Sequence, residues 1–278
     1  MVEGESARYG APNGWTAEAV WEAVLSNEGL AARELLGPIV ERCRELGDAQ
    51  IQPACEVLER WDGRADLDSP GAVLWREFIS QFPWAQQIDA GRLWAEGFDV
   101  DDPVFTPRGL AAVPDSGNDP ITAAIAKAIE VLDEAQLDLD ATLRDVQYYP
   151  VGVDRDVRIP MHGSGPLEGV ENLMGFSPGG TSTEARIPKG DVLAGSFELS
   201  ADGYPINYGT SYLLVVAFEA DGPRGLALMT YGQSGDLDSE FSRDQAELFA
   251  DKQWRPTWFT ADDVMANAVG ETIVLIEP

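Results

Sequence analysis

The stretch Tyr212-Leu-Leu-Val-Val-Ala-Phe218 decides the fold class of this chain. It is almost entirely apolar, and the turn Asp221-Gly222 follows it. A strand with one wet face alternates apolar and polar residues, whereas a continuous apolar run is typical of a strand covered on both faces. We therefore predict that this strand lies in the middle of a layered structure.

The segments around this strand divide the chain into two regions. Apolar residues recur at helical spacing in the first half, over residues 15–47, 53–61, 69–82 and 120–147. Short β-rich segments follow, at residues 190–199, 225–231 and 271–277. This order predicts an α+β chain, in which a mainly helical region 1–150 precedes a β-rich region 151–278. We expect the two regions to form one continuous structural unit.

Charge excludes two classes of partner. The chain has 48 acidic and 19 basic residues, which gives a formal net charge of −29. Such a surface repels phosphate backbones and anionic lipid head groups, so we expect neither nucleic acid nor a membrane as a partner. No apolar run is long enough to span a bilayer, and residues 1–6 do not resemble a signal peptide.

Cysteine and histidine are too scarce for a zinc site. The chain has two cysteines, Cys43 and Cys55, and one histidine, His162. A structural zinc ion of the usual type needs four such ligands, so none is expected. The two cysteines are either a disulfide or a pair of free thiols. Phosphate-binding loops of the Walker and Rossmann types are absent, and we expect no cofactor.

His162 is the one candidate for histidine-dependent chemistry. Any imidazole base must be this residue, and the neighbouring Gly163 and Ser164 invite comparison with a serine–histidine pair. A lone histidine in a loop is more often a hydrogen-bonded structural residue, which is the interpretation that we favour. We therefore treat His162 as a weak candidate for binding.

Carboxylates suggest two further sites, neither of which we favour. The segment Asp66-Leu-Asp68-Ser-Pro70-Gly71, followed by Glu77, partly matches a calcium-binding loop, but Pro70 replaces one oxygen ligand. We expect Asp68 or Ser69 to cap a helix and Glu77 to be a solvated helix residue. The pairs Asp101/Asp102 and Asp138/Asp140 could be the two catalytic carboxylates of a glycosidase. Because the chain has so many acidic residues, the simpler interpretation is that these pairs lie on a solvent-exposed face.

Several segments, taken in order, resemble the carboxyl-terminal half of the penicillin acylase family. No single segment is diagnostic, but their collinear order across nearly the whole chain is specific. The forms at 208–212 and 230–234 look closest to the acyl-homoserine-lactone and aculeacin acylase branch. The matching segments are Trp15–Trp21, Leu25–Asn27, Val57–Gly63, Asp66–Ala72, Pro103–Leu110, Ile159–Gly163, Tyr208–Leu213, Thr230–Ser234, Asp244-Gln245 and Lys252–Arg255.

The resemblance implies an N-terminal-nucleophile hydrolase with an αββα sandwich. In such enzymes a serine, freed by self-cleavage, attacks an amide carbonyl while its own α-amine acts as the base. The family's nucleophile and oxyanion-hole asparagine lie ahead of the matched region, so no residue here inherits a catalytic role. Ser26-Asn27 resembles the family's cleavage dipeptide, but we expect it to lie within a helix, where the backbone is poorly presented for cleavage.

The resemblance also implies a role, a location and a covalent link. The chain would supply scaffold and part of the acyl pocket, with the amino-terminal half of the acylase and a small N-acyl substrate as partners. The family's periplasmic or extracellular location would favour a disulfide between Cys43 and Cys55. Two alternatives stay open: a stand-alone, non-catalytic domain that binds a ligand or partner, and a hydrolase that uses its own carboxylates.

Overall fold

Helices occupy most of the first half of the chain. The computed structural model describes residues 15–83, 87–151, 157–165, 168, 172–174, 192–196 and 198–270. Its helices before residue 147 are α1 (Ala17–Val24), α2 (Leu30–Leu46), α3 (Gln52–Arg60), α4 (Ala72–Ser80), α5 (Pro120–Ala135) and α6 (Leu143–Val146).

Local signals set the ends of these helices. Thr16 caps α1, because its hydroxyl oxygen accepts a hydrogen bond from the backbone N–H of Ala19 at 3.1 Å. Asp119 caps α5 through the N–H of Ile121, next to a proline that suits the first helical position. Helix α2 ends at Gly47, whose φ of +59° is readily adopted by glycine.

The chain turns at Asn27, between α1 and α2. Asn27 has a φ of +53°, in the left-handed region that a continuing α-helix cannot contain. A β-bridge between Glu28 and Arg64 holds this turn against the loop after α3. The prediction of one helix over 15–47 is therefore wrong. Pro38 lies inside α2 and does not end it.

Strands dominate the second half. The described residues form a two-stranded sheet of β1 and β2, a four-stranded sheet of order β4-β3-β6-β5 and a three-stranded sheet of order β7-β8-β9. The pair β3 and β6 is parallel, and the other pairs are antiparallel. The strands are β1 (Trp94–Glu96), β2 (Arg108–Leu110), β3 (Gln147–Val151), β4 (Val157–Pro160), β5 (Asn172–Met174), β6 (Tyr204–Gly209), β7 (Tyr212–Glu219), β8 (Gly222–Met229) and β9 (Arg255–Thr257).

Two α-helices and a short 3-10 helix (Glu240–Ser242) accompany these strands in the described residues, and the predicted α+β order is confirmed. Helix α7 (Asp244–Ala250) packs against β4 and β8, and α8 (Ala261–Ala266) follows β9. At 190–199 the described residues contain an isolated bridge from Val192 to Ser200 and no regular strand. The predicted strand at 271–277 lies outside the described residues.

The apolar strand β7 packs on the core with one face and leaves most of the other face exposed, with Val216 half-buried. Three of its side chains pack on the core: Leu213, Val215 and Ala217. The opposite face, which we call the open face, carries Tyr212, Leu214, Val216 and Phe218. Phe218 is 90% exposed, and Leu214 is 46% exposed. The prediction that both faces are covered is therefore wrong for the described chain.

One hydrophobic cluster joins the helices to the strands. Trp61, Trp75, Phe78 and Phe82 stack in a row with ring centroids 5.1 to 5.6 Å apart. The same cluster includes buried residues of the second half, such as Phe249. Among the described helices, none is both long and apolar enough to cross a membrane.

Candidate functional site

The single histidine lies where the two halves of the chain meet. His162 follows β4 by two residues and is only 3% exposed. Its ring contacts the ring of Phe249 in α7, edge on, with the centroids 5.5 Å apart. The imidazole is therefore part of the packed interface between a strand and a helix.

Hydrogen bonds at both ring nitrogens define the charge state of His162. Nε2 lies 3.1 Å from the carbonyl oxygen of Ala250, which can only accept, so this nitrogen carries a proton. Nδ1 lies 3.0 Å from the amide nitrogen of Asn27, which donates, so Nδ1 accepts. We infer a neutral imidazole. Burial, reinforced by the nearby charge of Lys252, lowers the pKa of His162 to about 4.

These contacts link five residues into a ring. The amide nitrogen of Asn27 also donates to Oδ1 of Asp66 at 2.6 Å, and Lys252 pairs with the same carboxylate. Ala250, which bonds to His162, is the last residue of α7, and Lys252, which bonds to Asp66, follows it by two residues. The chain of contacts therefore begins and ends at the end of α7. We call this set the polar circuit: Asn27, Asp66, His162, Ala250 and Lys252.

The polar circuit restricts what His162 can do chemically. A general base needs a free lone pair within reach of a substrate proton, and Nδ1 already accepts a hydrogen bond. The hydroxyl of Ser164 donates to the carbonyl oxygen of Gly165 at 2.8 Å. In this geometry His162 holds three segments together.

A polar cavity of about 410 Å³ lies against the polar circuit. Arg144 lines the cavity and binds both carboxylate oxygens of Asp68, which lowers the pKa of Asp68. The cations in its wall are thus paired with carboxylates. The cavity is lined by Asp62, Asp66, Leu67, Asp68, Ser69, Pro70, Arg144, His162, Ala250, Asp251 and Lys252.

The acidic residues of the calcium-like segment have other partners. Asp66 binds Lys252 and Asn27, and the hydroxyl of Ser69 donates to Asp62. Neither Asp68 nor Ser69 caps α4, because Gly71, with a φ of +98°, occupies the capping position without a side-chain bond. Within the described ranges, no group of three His, Cys, Asp or Glu residues could hold a metal ion.

Glu77 is buried, which contradicts its prediction as a solvated helix residue. It is 1% exposed, and its carboxylate accepts a hydrogen bond from the hydroxyl of Tyr204 in β6. Burial raises the pKa of Glu77, and the hydrogen bond from Tyr204 partly opposes this effect. Glu77 therefore links α4 to β6.

Sequence reasoning missed Arg76, which positions the loop that carries His162. Its guanidinium donates to Glu168 at 2.9 Å, to the carbonyl oxygen of Gly163 at 2.9 Å and to Gln147. Gln147 in turn donates to the carbonyl oxygen of Met161 at 2.6 Å. The available signal was a charged pair, Arg-Glu, inside a helix whose other residues are mostly apolar.

The structure places the remaining candidates as follows. Cys43 in α2 and Cys55 in α3 are joined by a disulfide, with their Cα atoms 6.1 Å apart. Asp138 and Asp140 are exposed, as is Asp101, while Asp102 is half-buried. Ser26-Asn27 lies in the turn between α1 and α2, so its expected helical setting is wrong.

Comparison with known proteins identifies the family. The penicillin amidase family model matches residues 5–266. The chain is 32% identical over 258 residues to an acyl-homoserine lactone acylase PvdQ of Pseudomonas syringae pv. syringae, covering 91% of this chain and 30% of the relative. It is 27% identical over 263 residues to the aculeacin-A acylase of Actinoplanes utahensis, covering 91% of this chain and 29% of the relative.

Among solved structures, the chain matches the thermostable penicillin G acylase from Alcaligenes faecalis. The match has a TM-score of 0.44 and 18% identity, and covers 95% of this chain and 50% of that one. The chain spans about a third of the length of the curated relatives that it matches. The family match extends over nearly the whole chain, and the chain therefore belongs to the penicillin amidase family.

Proposed function

We propose that this chain is the carboxyl-terminal scaffold and part of the acyl pocket of an amidohydrolase. The reaction is hydrolysis of the amide bond of an N-acyl compound: an acyl-homoserine lactone, a lipopeptide or a β-lactam. Family membership and the names of the relatives support this reaction class. The nucleophilic serine comes from an amino-terminal segment of the acylase, as the resemblance implies.

The open face is the observation that carries the scaffold role. Its four side chains are apolar, and Phe218 projects almost entirely into solvent. A contiguous apolar surface on a chain that is otherwise rich in acidic residues indicates an interaction site. We propose that the open face packs against the second sheet of the αββα sandwich, which the amino-terminal segment supplies.

The residues after α7 extend this surface. Residues 258–270 are exposed throughout, and large apolar side chains recur among them. A groove of about 270 Å³ is lined by Tyr212 of the open face, by Trp258 of this segment and by residues of β8 and β9. Burial of these side chains by a partner would contribute about 25 cal/mol for each Å² of apolar surface removed from water. The apolar side chains of the segment are Trp258, Phe259, Val264, Met265 and Val269.

Location follows from the same resemblance. The family's periplasmic or extracellular setting is oxidising, and a disulfide between Cys43 and Cys55 is compatible with that setting. We propose that the enzyme acts outside the cytoplasm.

The test is complementation. The chain is expressed alone and together with the amino-terminal portion of a family member such as the Pseudomonas syringae relative, and release of free amine from N-dodecanoyl-homoserine lactone is measured. We expect no turnover by the chain alone and turnover by the purified complex. Hydrolysis by the chain alone, free of any companion fragment, would overturn the proposal and would favour a hydrolase built on its own carboxylates.

Two variants make this test specific to the open face. Phe218→Asp places a charge in the proposed interface, whereas Phe241→Asp changes an exposed phenylalanine elsewhere that is 57% exposed. Complex formation should fall at least about tenfold for F218D, because a charge buried without a partner costs several kcal/mol, and should be unchanged for F241D. Equal binding by both variants would contradict the proposed interface.

The cavity favours a second candidate function, a stand-alone domain that binds a ligand. The described residues of this one chain line the cavity, so it needs no partner to exist. This alternative predicts a stable monomer without a large apolar face, and the open face weighs against it. Sedimentation of the isolated chain as a monomer, with no binding to the amino-terminal portion, would favour it.

A further inference from the structure

We propose that the polar circuit is an acid-releasable clamp, which fixes the end of α7 to the helical half of the chain and opens when His162 takes up a proton. This inference concerns the folded chain itself and goes beyond the proposed function. It does not depend on a partner or on a substrate.

The end of α7 has two anchors in the polar circuit. The carbonyl oxygen of Ala250 accepts from Nε2 of His162, and the ammonium group of Lys252 pairs with Asp66. Lys252 has a φ of +52°, a conformation that costs a non-glycine residue free energy and persists only where its surroundings hold it. Pairing of β9 with β8 begins only at Arg255, so these anchors hold the stretch of chain between α7 and β9.

The amide of Asn27 makes the clamp sensitive to the charge of His162. Its one nitrogen donates both to Asp66 and to Nδ1 of His162. A proton on Nδ1 would face this donor, so that contact must break. Rotating the amide would instead bring its oxygen, which has no hydrogen-bond partner among the described residues, against the carboxylate of Asp66. Either response opens the circuit.

Charged groups from three elements face the imidazole. Asp66 and Asp68, in the loop before α4, favour the imidazolium form, whereas Arg144 in α6 and Lys252 oppose it. Asp251 lies on the same cavity wall. Burial has the largest effect on the pKa of His162 and outweighs the attraction of the carboxylates. His162 is therefore neutral and the clamp closed at neutral pH, and the clamp opens towards pH 4.

Hydrogen exchange of the amides of residues 251–253 in the full chain measures the clamp, because these N–H groups donate to the last turns of α7 and precede the pairing of β9 with β8. If opening exposes His162, the equilibrium constant for opening increases about tenfold for each unit by which the pH falls from 6.5 to about 4. Below that pH it is constant. Exchange rates are corrected for the intrinsic effect of pH. The imidazole signal of the single histidine, followed by NMR in an untagged chain, should titrate with a pKa of about 4.

Three variants separate the clamp from general acid unfolding. His162→Gln keeps a donor and an acceptor but does not titrate in this range, so the pH dependence at residues 251–253 should vanish. Asp66→Asn removes the carboxylate that binds Lys252 and should raise exchange at pH 7. Asp68→Asn, a control in the same cavity but outside the circuit, removes a charge that favours the imidazolium form, so it should shift the pH profile to lower pH without raising exchange at pH 7. The same pH dependence in H162Q, or an equal rise for amides throughout the chain, would overturn the proposal.

Discussion

Buried polar side chains carry the most specific information at the scale of single residues. Arg76 and Glu77 are adjacent in α4, and both are at most 3% exposed. Each finds its partner far away in the sequence: Arg76 binds Glu168, and Glu77 binds Tyr204. Because a buried charge without a partner is costly, these contacts restrict how the strands can pack on α4.

Glu77 should make the chain less stable as pH rises. Its pKa in the folded chain lies above the ordinary value of 4.5, mainly because of burial. Between these two pKa values the folded state binds more protons than the unfolded state, so this contribution to stability is present below pH 4.5 and is lost as pH rises through the folded pKa. Glu77→Gln cannot ionise, and its stability relative to wild type should therefore improve with increasing pH.

Urea unfolding at several pH values between 4 and 8 checks the Glu77 prediction. Glu77→Ala is the control for lost packing, and it should be less stable than wild type by about 2–4 kcal/mol, because it leaves the hydroxyl of Tyr204 without its acceptor. A constant difference between E77Q and wild type across this range would show that Glu77 does not titrate there.

The sequence predicts where some turns between elements lie, but not how closely they pack against the rest of the chain. The Asp-Gly pairs at 202–203 and 221–222 each predict a turn, and both glycines have positive φ, +87° at Gly203 and +131° at Gly222. Their surroundings differ. A Cβ atom at Gly203 would lie 2.1 Å from the backbone oxygen of Val146, whereas one at Gly222 would meet nothing within 4 Å.

The two glycines should therefore respond differently to the same substitution. Gly222→Ala should lower the free energy of unfolding by about 1 kcal/mol, the cost of an unfavourable φ alone. Gly203→Ala adds a collision with backbone that cannot move aside, and should cost about 3 kcal/mol or more. Chemical denaturation of both variants measures the difference, and equal losses would rule out the close approach at Gly203.

The disulfide should stabilise the pairing of α2 and α3. Cys43 and Cys55 are 12 residues apart, and closing a loop of this length in the unfolded chain corresponds to about 3 kcal/mol. Replacing both cysteines by serine should lower the free energy of unfolding by about this amount in oxidising buffer. In reducing buffer the difference between the variant and wild type should shrink. Insensitivity of wild-type stability to reductant would contradict this expectation.

Excess negative charge acts at the scale of the whole molecule. A net charge of −29 in 278 residues places carboxylates around most of the surface. Like charges repel one another more strongly in the compact state than in the extended chain, and salt screens this repulsion. Buried pairs such as Arg42 with Asp119 are screened much less.

Salt should consequently stabilise the chain. The thermal unfolding midpoint should rise when NaCl is increased from about 0.05 M to about 0.5 M, because the Debye length falls from above 10 Å to below 8 Å. KCl at equal ionic strength is the control, and screening predicts the same rise for both salts. A fall in the midpoint would mean that surface ion pairs contribute more than the overall repulsion.

The sequence by itself determined the order of helices and strands and the family. These depend on local signals, such as Thr16 and Asp119 at helix starts, and on short segments in a collinear order. The tertiary structure decided which face of β7 is covered, where Ser26-Asn27 lies and which charges are buried with partners. These features depend on contacts between residues distant in the chain, such as His162 with Asn27 and Ala250, and a local pattern does not encode which distant atom satisfies a polar group.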